Sequence, residues 1–147
     1  MEFIMHPIGI IHSPFTDKDH MPIQSALSQA IGHVQVEGPF RDGLQDIEGF
    51  SHLILLYAFH ASSGYVLHVK PFLDDQIHGL FSTRYPNRPN PIGLSVVELL
   101  SRQDNVLEIK GVDVLDGTPL LDIKPYVPEF DMRAPARSGW LEHRRSE

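Results

Sequence analysis

The sequence predicts an all-β fold: a single-domain antiparallel β-barrel over residues 1–147, with short helical turns and long loops. Three observations carry this. Eleven glycines and 12 prolines punctuate the chain at short intervals. Between them lie runs of five to ten residues rich in Val, Ile, Leu, Phe and Tyr, the pattern of short strands bounded by turns. The third is a change of parity at Gly111. Leu107 and Ile109 before it, and Val112 and Val114 after it, are apolar but out of phase. A period of two flips only by inserting a residue, so Gly111 is a candidate β-bulge. A bent strand suits closure into a barrel.

Strands are expected, in order, at Phe3–His12, Gly32–Glu37, His52–His60, Tyr65–Val69, Gly79–Thr83, Leu94–Ser101, Val106–Leu115 and Leu120–Val127. His33-Val34-Gln35-Val36-Glu37 alternates, which predicts one wet face. Leu53–Phe59 is apolar at every position and predicts a central strand; a buried helix fits it nearly as well, and length favours the strand. Phe40–Ile47 and Asp74–His78 have room for a helical turn or two, and Ala134–Glu147 for a helical or loose tail. Thr16–Ile31 reads as a long loop, the kind that carries function or disorder.

Composition excludes several chemistries. There is no cysteine, hence no disulfide, thiolate zinc site, iron–sulfur cluster or cysteine nucleophile. The longest apolar run, Leu53–Phe59, is far shorter than the roughly 20 residues of a spanning helix. The start, Met1 to Pro7, has no basic region and carries a proline where a signal's apolar core would begin, so a cytoplasmic protein without membrane contact is expected. A net charge of −7 argues against a whole-molecule field for nucleic acid. Positive charge is local instead: Arg84 with Arg88, and Arg133, Arg137, Arg144 and Arg145 in the tail. Solvated surface and salt bridges explain such groups equally well. Nine histidines show no metal-binding spacing. His52 and His60 share a strand face but lie about 26 Å apart at about 3.3 Å per residue, too far for one ion. No metal site is expected.

Two segments can carry chemistry. Thr83-Arg84-Tyr85-Pro86-Asn87-Arg88-Pro89-Asn90-Pro91-Ile92-Gly93 holds three prolines that fix φ and extend the residues before them. A stiff loop presents Arg84, Arg88 and Asn90 at low entropic cost, suited to gripping a carboxylate or phosphate. It is otherwise a rigid connector whose arginines meet the protein's own acids. Asp116-Gly117-Thr118-Pro119 predicts a tight hairpin turn, because Asp-Gly tolerates positive φ. Its exposed main-chain N–H and C=O groups could read the edge of a base, or the turn has no further job. The dinucleotide fingerprint, the phosphate-binding P-loop and the nucleophile elbow are all absent.

Four segments together resemble the TsaA/TrmO-type family of S-adenosylmethionine-dependent tRNA methyltransferases. They are Pro7–Phe15, Asp46–Leu53, Thr83–Ser95, and Asp116–Pro119 continuing to Asp122–Tyr126. The resemblance implies a β-barrel that binds S-adenosylmethionine outside the common methyltransferase folds, as a homodimer. It implies methylation of the exocyclic nitrogen of threonylcarbamoyl-adenosine beside the tRNA anticodon. It also implies cofactor contacts at Pro22, Ile23, Gln24, His60, Ala61, Arg84, Leu94, Asp116, Gly117, Thr118 and Pro119. Ile23 stands where members often carry a basic residue, and Ala61 where they often carry a polar one. Arg84, Arg88 and Asn90 are the candidates for substrate. No general base stands out; His60 and Asp116 are the candidates. Two other classes stay open: a non-catalytic S-adenosylmethionine sensor, and an RNA-binding barrel without cofactor.

Overall fold

The structure is a computed structural model that describes residues 1–20 and 28–144. Its contacts divide the chain into two compact units: residues 1–60 with 92–126, and residues 61–91 with 127–147.

The first unit is a closed barrel. Its strands are β1 (Gly9–His12), β2 (Ile31–Val36), β3 (His52–Ala58), β6 (Ile92–Gln103), β7 (Val106–Lys110) and β8 (Thr118–Pro125). They pair antiparallel in the order β1-β2-β7-β6-β3-β8, and β8 closes onto β1. All-β closure is thus as the sequence predicts. β2 alternates exposed and buried residues along its whole length. In β3, Leu53, Leu55 and Tyr57 are buried while the residues between them are half-buried. Inward side chains such as Ile11, Val34, Leu53, Leu107, Ile109 and Leu120 fill the interior and are fully buried.

Several boundaries differ from expectation. The first strand begins at Gly9 because Pro7 has no N–H for a ladder. Phe3, Ile4 and Met5 remain exposed. β7 ends at Lys110. Beyond it the N–H groups of Gly111 (φ 98°) and Val112 both donate to the Ala30 carbonyl, at 2.9 and 3.4 Å. Two residues thus oppose one, which is the bulge that the parity change predicted. Register also shifts between Leu99 and Ser101 on β6, and between Leu56 and Tyr57 on β3. The tight hairpin of this barrel is Asp104-Asn105 between β6 and β7, with Asp104 at φ 56°. It is not Asp116-Gly117: the strands on either side of that turn, β7 and β8, do not pair. Two short 3-10 helices, Gly38–Leu44 and Ile47–Gly49, stand in the Phe40–Ile47 region.

The second unit holds the two-stranded sheet of β4 (His68–Val69) and β5 (His78–Gly79). The runs predicted as strands at Tyr65–Val69 and Gly79–Thr83 reduce to these, and Leu80–Ser82 is 3-10. Asp74–His78 forms no helix. Instead Asp74 Oδ2 meets His78 Nε2 at 2.6 Å. The tail contributes a four-residue α-helix, α1 (Pro128–Asp131), and a 3-10 helix, Gly139–Arg144. Trp140 stacks on His78 with centroids 4.5 Å apart, and its Nε1 donates to the Ser82 carbonyl at 2.9 Å.

Candidate functional site

Antiparallel pairing brings the ends of β1, β3 and β7 and the starts of β2, β6 and β8 to one rim of the barrel. Of the expected site residues, His60, Leu94 and Asp116 to Pro119 lie at or near this rim. His60 follows β3 and is exposed. Leu94 is the third residue of β6, on its outer face, and is 47% exposed. Asp116 and Gly117 precede β8, while Thr118 and Pro119 begin it.

The turn from Leu115 to Thr118 is closed by the Thr118 N–H donating to the Leu115 carbonyl at 3.2 Å. Gly117 has φ +85° and Asp116 is not among the positive-φ residues. That is the type II pattern, in which the third position needs glycine. The expectation that its N–H groups read a base is corrected. Asp116 N–H goes to Phe15 O, Gly117 N–H to Ile11 O and Thr118 N–H to Leu115 O. The Thr118 hydroxyl also turns inward, to Leu115 O at 2.6 Å. Among the described residues no hydrogen bond reaches the carbonyls of Asp116 and Gly117, and a Cβ on Gly117 would meet nothing within 4 Å. Two acceptors beside open space suit an exocyclic amine on a flat ring. The residues therefore fit the adenosine portion of a nucleoside ligand.

The Asp116 carboxylate is committed elsewhere. Its Oδ1 accepts the Ser13 N–H at 3.1 Å and lies 3.3 Å from His12 Nδ1. Ser13 Oγ donates to Val114 O at 2.6 Å. The carboxylate thus ties the segment Pro7–Phe15 to the turn. Both segments are evident in the sequence, but their contact spans 103 residues and no local pattern announces it.

A second feature escaped sequence reasoning. The Ser95 hydroxyl donates to Asp113 Oδ1 at 2.6 Å, so the Tyr57 hydroxyl, 2.8 Å from Ser95 Oγ, is the donor in that pair. The chain of hydroxyls joins β3, β6 and the segment leading to the turn. Tyr57 and Ser95 are both buried. An apolar run with one Tyr near its end was the only signal.

The remaining candidates belong to the second unit: Ala61, Arg84, Arg88 and Asn90. Arg84 and Asn90 are exposed. Arg88 Nη1 donates to Thr83 O at 3.1 Å and to Tyr85 O at 2.8 Å, so part of its guanidinium holds its own loop. The Thr83 hydroxyl donates to Leu80 O at 2.7 Å and accepts from the Tyr85 N–H at 3.2 Å. The stiffness expected from prolines is thus reinforced by side-chain bonds. Pro22, Ile23 and Gln24 lie outside the described residues. Among the described residues no cluster of His, Asp or Glu could hold a metal ion, and no helix is long and apolar enough to cross a membrane.

Comparison with known proteins finds relatives of the whole barrel. A probable S-adenosyl-L-methionine-binding protein of Pyrococcus abyssi is 57% identical over 137 residues, 92% of this chain and 74% of that protein. The Escherichia coli tRNA (adenine(37)-N6)-methyltransferase is 39% identical over 151 residues, 95% of this chain but 64% of the enzyme. The crystal structure of TrmO from P. aeruginosa superposes with a TM-score of 0.81 at 39% identity, covering 97% of this chain and 62% of that one. The chain thus spans less than two thirds of the last two proteins. The model of the tRNA-methyltransferase O N-terminal domain matches residues 10–132, a range that includes the whole barrel apart from Gly9. With its barrel and its relatives in agreement, the chain belongs to the family of the tRNA-methyltransferase O N-terminal domain.

Proposed function

We propose that this protein is an S-adenosylmethionine-dependent methyltransferase acting on the exocyclic nitrogen of threonylcarbamoyl-adenosine next to the tRNA anticodon. The observation that carries the reading is the rim turn, where two carbonyls and an open glycine suit adenosine while every N–H is occupied. The enzyme named in the E. coli relative supports the reaction class.

Bound there, S-adenosylmethionine would supply a sulfonium-borne methyl group that passes to the nitrogen; the broken C–S pair stays on sulfur and the displaced N–H proton leaves. The chain's own part is alignment, which can supply much of the rate in such a displacement. The carbonyls of Asp116 and Gly117 hold the adenine edge, and Leu94 packs its face. Arg84 grips an anionic group, the threonyl carboxylate of the modified base or the cofactor's own carboxylate. Since Asp116 already holds Ser13 and His12, His60 is the better proton acceptor of the two candidates. Pro22, Ile23, Gln24, Ala61, Thr118 and Pro119 complete the cofactor contacts, and Arg88 and Asn90 those to substrate. The protein works as a cytoplasmic homodimer, the whole chain serving as one domain.

The test is methyl transfer to tRNA that carries threonylcarbamoyl-adenosine but lacks its methyl group, read by mass spectrometry, beside calorimetric titration with S-adenosylmethionine. Arg84→Ala is expected to lose at least about tenfold in turnover, as removal of one charged positioning contact does. Turnover near wild type would remove Arg84 from the site. A second reading, a sensor that binds S-adenosylmethionine without transferring its methyl group, is favoured by one observation. The Pyrococcus abyssi relative is named only as a binding protein. Heat on titration with no methylated product would establish the sensor.

A further inference from the structure

The acidic balance of the chain is unevenly divided. The barrel unit carries five Lys and Arg against 13 Asp and Glu, a net −8. The second unit carries seven against six, a net +1. The second unit also leaves its aromatics in water. Every Phe and Tyr in it is exposed: Tyr65 at 54%, Phe72 at 85%, Phe81 at 73%, Tyr85 at 39% and Phe130 at 70%. Trp140 is stacked on His78.

Local bonds tie the segments that carry three of these, Tyr65, Phe81 and Tyr85. β4 and β5 pair His68 with Gly79, and the Leu80 N–H reaches Leu67 O at 2.9 Å. That bond leaves Tyr65 two residues before the junction on one segment and Phe81 one residue after it on the other. The Arg88 guanidinium lies 6.0 Å from the centre of the Phe81 ring and bonds the Tyr85 carbonyl. Arg84, exposed, stands between Phe81 and Arg88 in the chain.

We infer that this face of the second unit is a stacking platform for unpaired RNA bases, with Tyr65, Phe81 and Tyr85 as the platforms and Arg84 and Arg88 as the cationic companions. The inference rests on the tRNA reading above and adds where and how the RNA is held. Unpaired bases are recognised by stacking on aromatic faces and guanidinium planes, and each needs only an exposed ring beside positive charge. The acidic barrel repels a polyanion, while the near-neutral unit with exposed arginines does not. A ring steadied by a guanidinium loses less freedom when a base stacks on it.

The test is fluorescence anisotropy of a labelled anticodon stem-loop RNA, and of the same stem closed without a loop, against wild type, Phe81→Ala and Tyr65→Ala. Both side chains are exposed, so folding should survive. Each variant is expected to weaken binding of the looped RNA by roughly fivefold or more, the loss of one base stack. The closed stem should bind more weakly and lose nothing further. S-adenosylmethionine affinity should stay at the wild-type value. Variants that bind the loop like wild type overturn the inference, even if wild type methylates tRNA. So does a change in self-association, by light scattering, with RNA affinity unchanged; the patch is then a protein contact. If wild type gives no heat with S-adenosylmethionine and no methylation, while the variants still lose RNA, the function reading fails and the platform stands.

Discussion

Gly93 shows how one missing atom organises the rim. A Cβ there would fall 2.3 Å from Tyr57 Cε1 and 2.7 Å from Phe59 Cζ. These two rings meet edge to face, 5.6 Å between centroids. The Tyr57 ring cannot swing aside without giving up its hydroxyl bond to Ser95. Gly93→Ala should therefore cost about 1–3 kcal/mol, the usual price of overpacking, seen as a lower Tm with the barrel's circular dichroism retained. An unchanged Tm would mean that the rings have room to move. The glycine stood inside a conspicuous segment of sequence, but its reason did not: Tyr57 and Phe59 lie more than 30 residues earlier, on β3 and just past its end.

At the scale of elements, the turn before β8 and the clasp on β5 behave differently. Gly117 at φ +85° has space for a side chain but no comfortable backbone for one. Gly117→Val should cost about 1–2 kcal/mol through the left-handed backbone alone, and lose heat on titration with S-adenosylmethionine. Gly117→Asn, which tolerates that region, should keep both stability and binding. If valine binds as well as glycine, the turn is not part of the site. In the second unit the hydrogen bond from His78 holds the Asp74 carboxyl below the usual carboxylate range, helped by the N–H groups of Asp75 and Gln76 against partial burial. A lowered folded value means that the pair's stabilisation is complete above the ordinary Asp pKa of about 3.9 and is lost as pH falls through the lowered value. Thermal melts of wild type and Asp74→Asn should differ near neutrality and converge in acid. A gap that stays constant with pH would mean that the carboxylate's charge contributes nothing.

For the whole molecule, the two units differ in how their backbones are held. Each barrel strand has partners on both sides, and the interior is filled by buried aliphatic side chains. The second unit rests on a sheet of two-residue strands and short helices. Amides of β2 and β3 should be the last to exchange with deuterium, and those around β4 and β5 among the first, since opening follows local packing. Mass-resolved hydrogen exchange decides this; equal protection in both units would contradict it. The charge division follows the same boundary, which is why a net −7 read over the whole sequence understated the capacity of the second unit to meet a polyanion.

The sequence by itself determined the strand-rich class, the wet face of β2, the bulge at Gly111 and the segments that carry the family. Each of these is local: periodicity, parity and glycine or proline placement act within a few residues. Only the tertiary structure decided that Asp116-Gly117 caps a strand rather than a hairpin, that the Asp116 carboxylate serves Ser13, and that Tyr57, Ser95 and Asp113 form one chain. Those outcomes depend on which strands become neighbours when the barrel closes. That choice is made by burial summed over the whole sheet, and no window of neighbouring residues contains it.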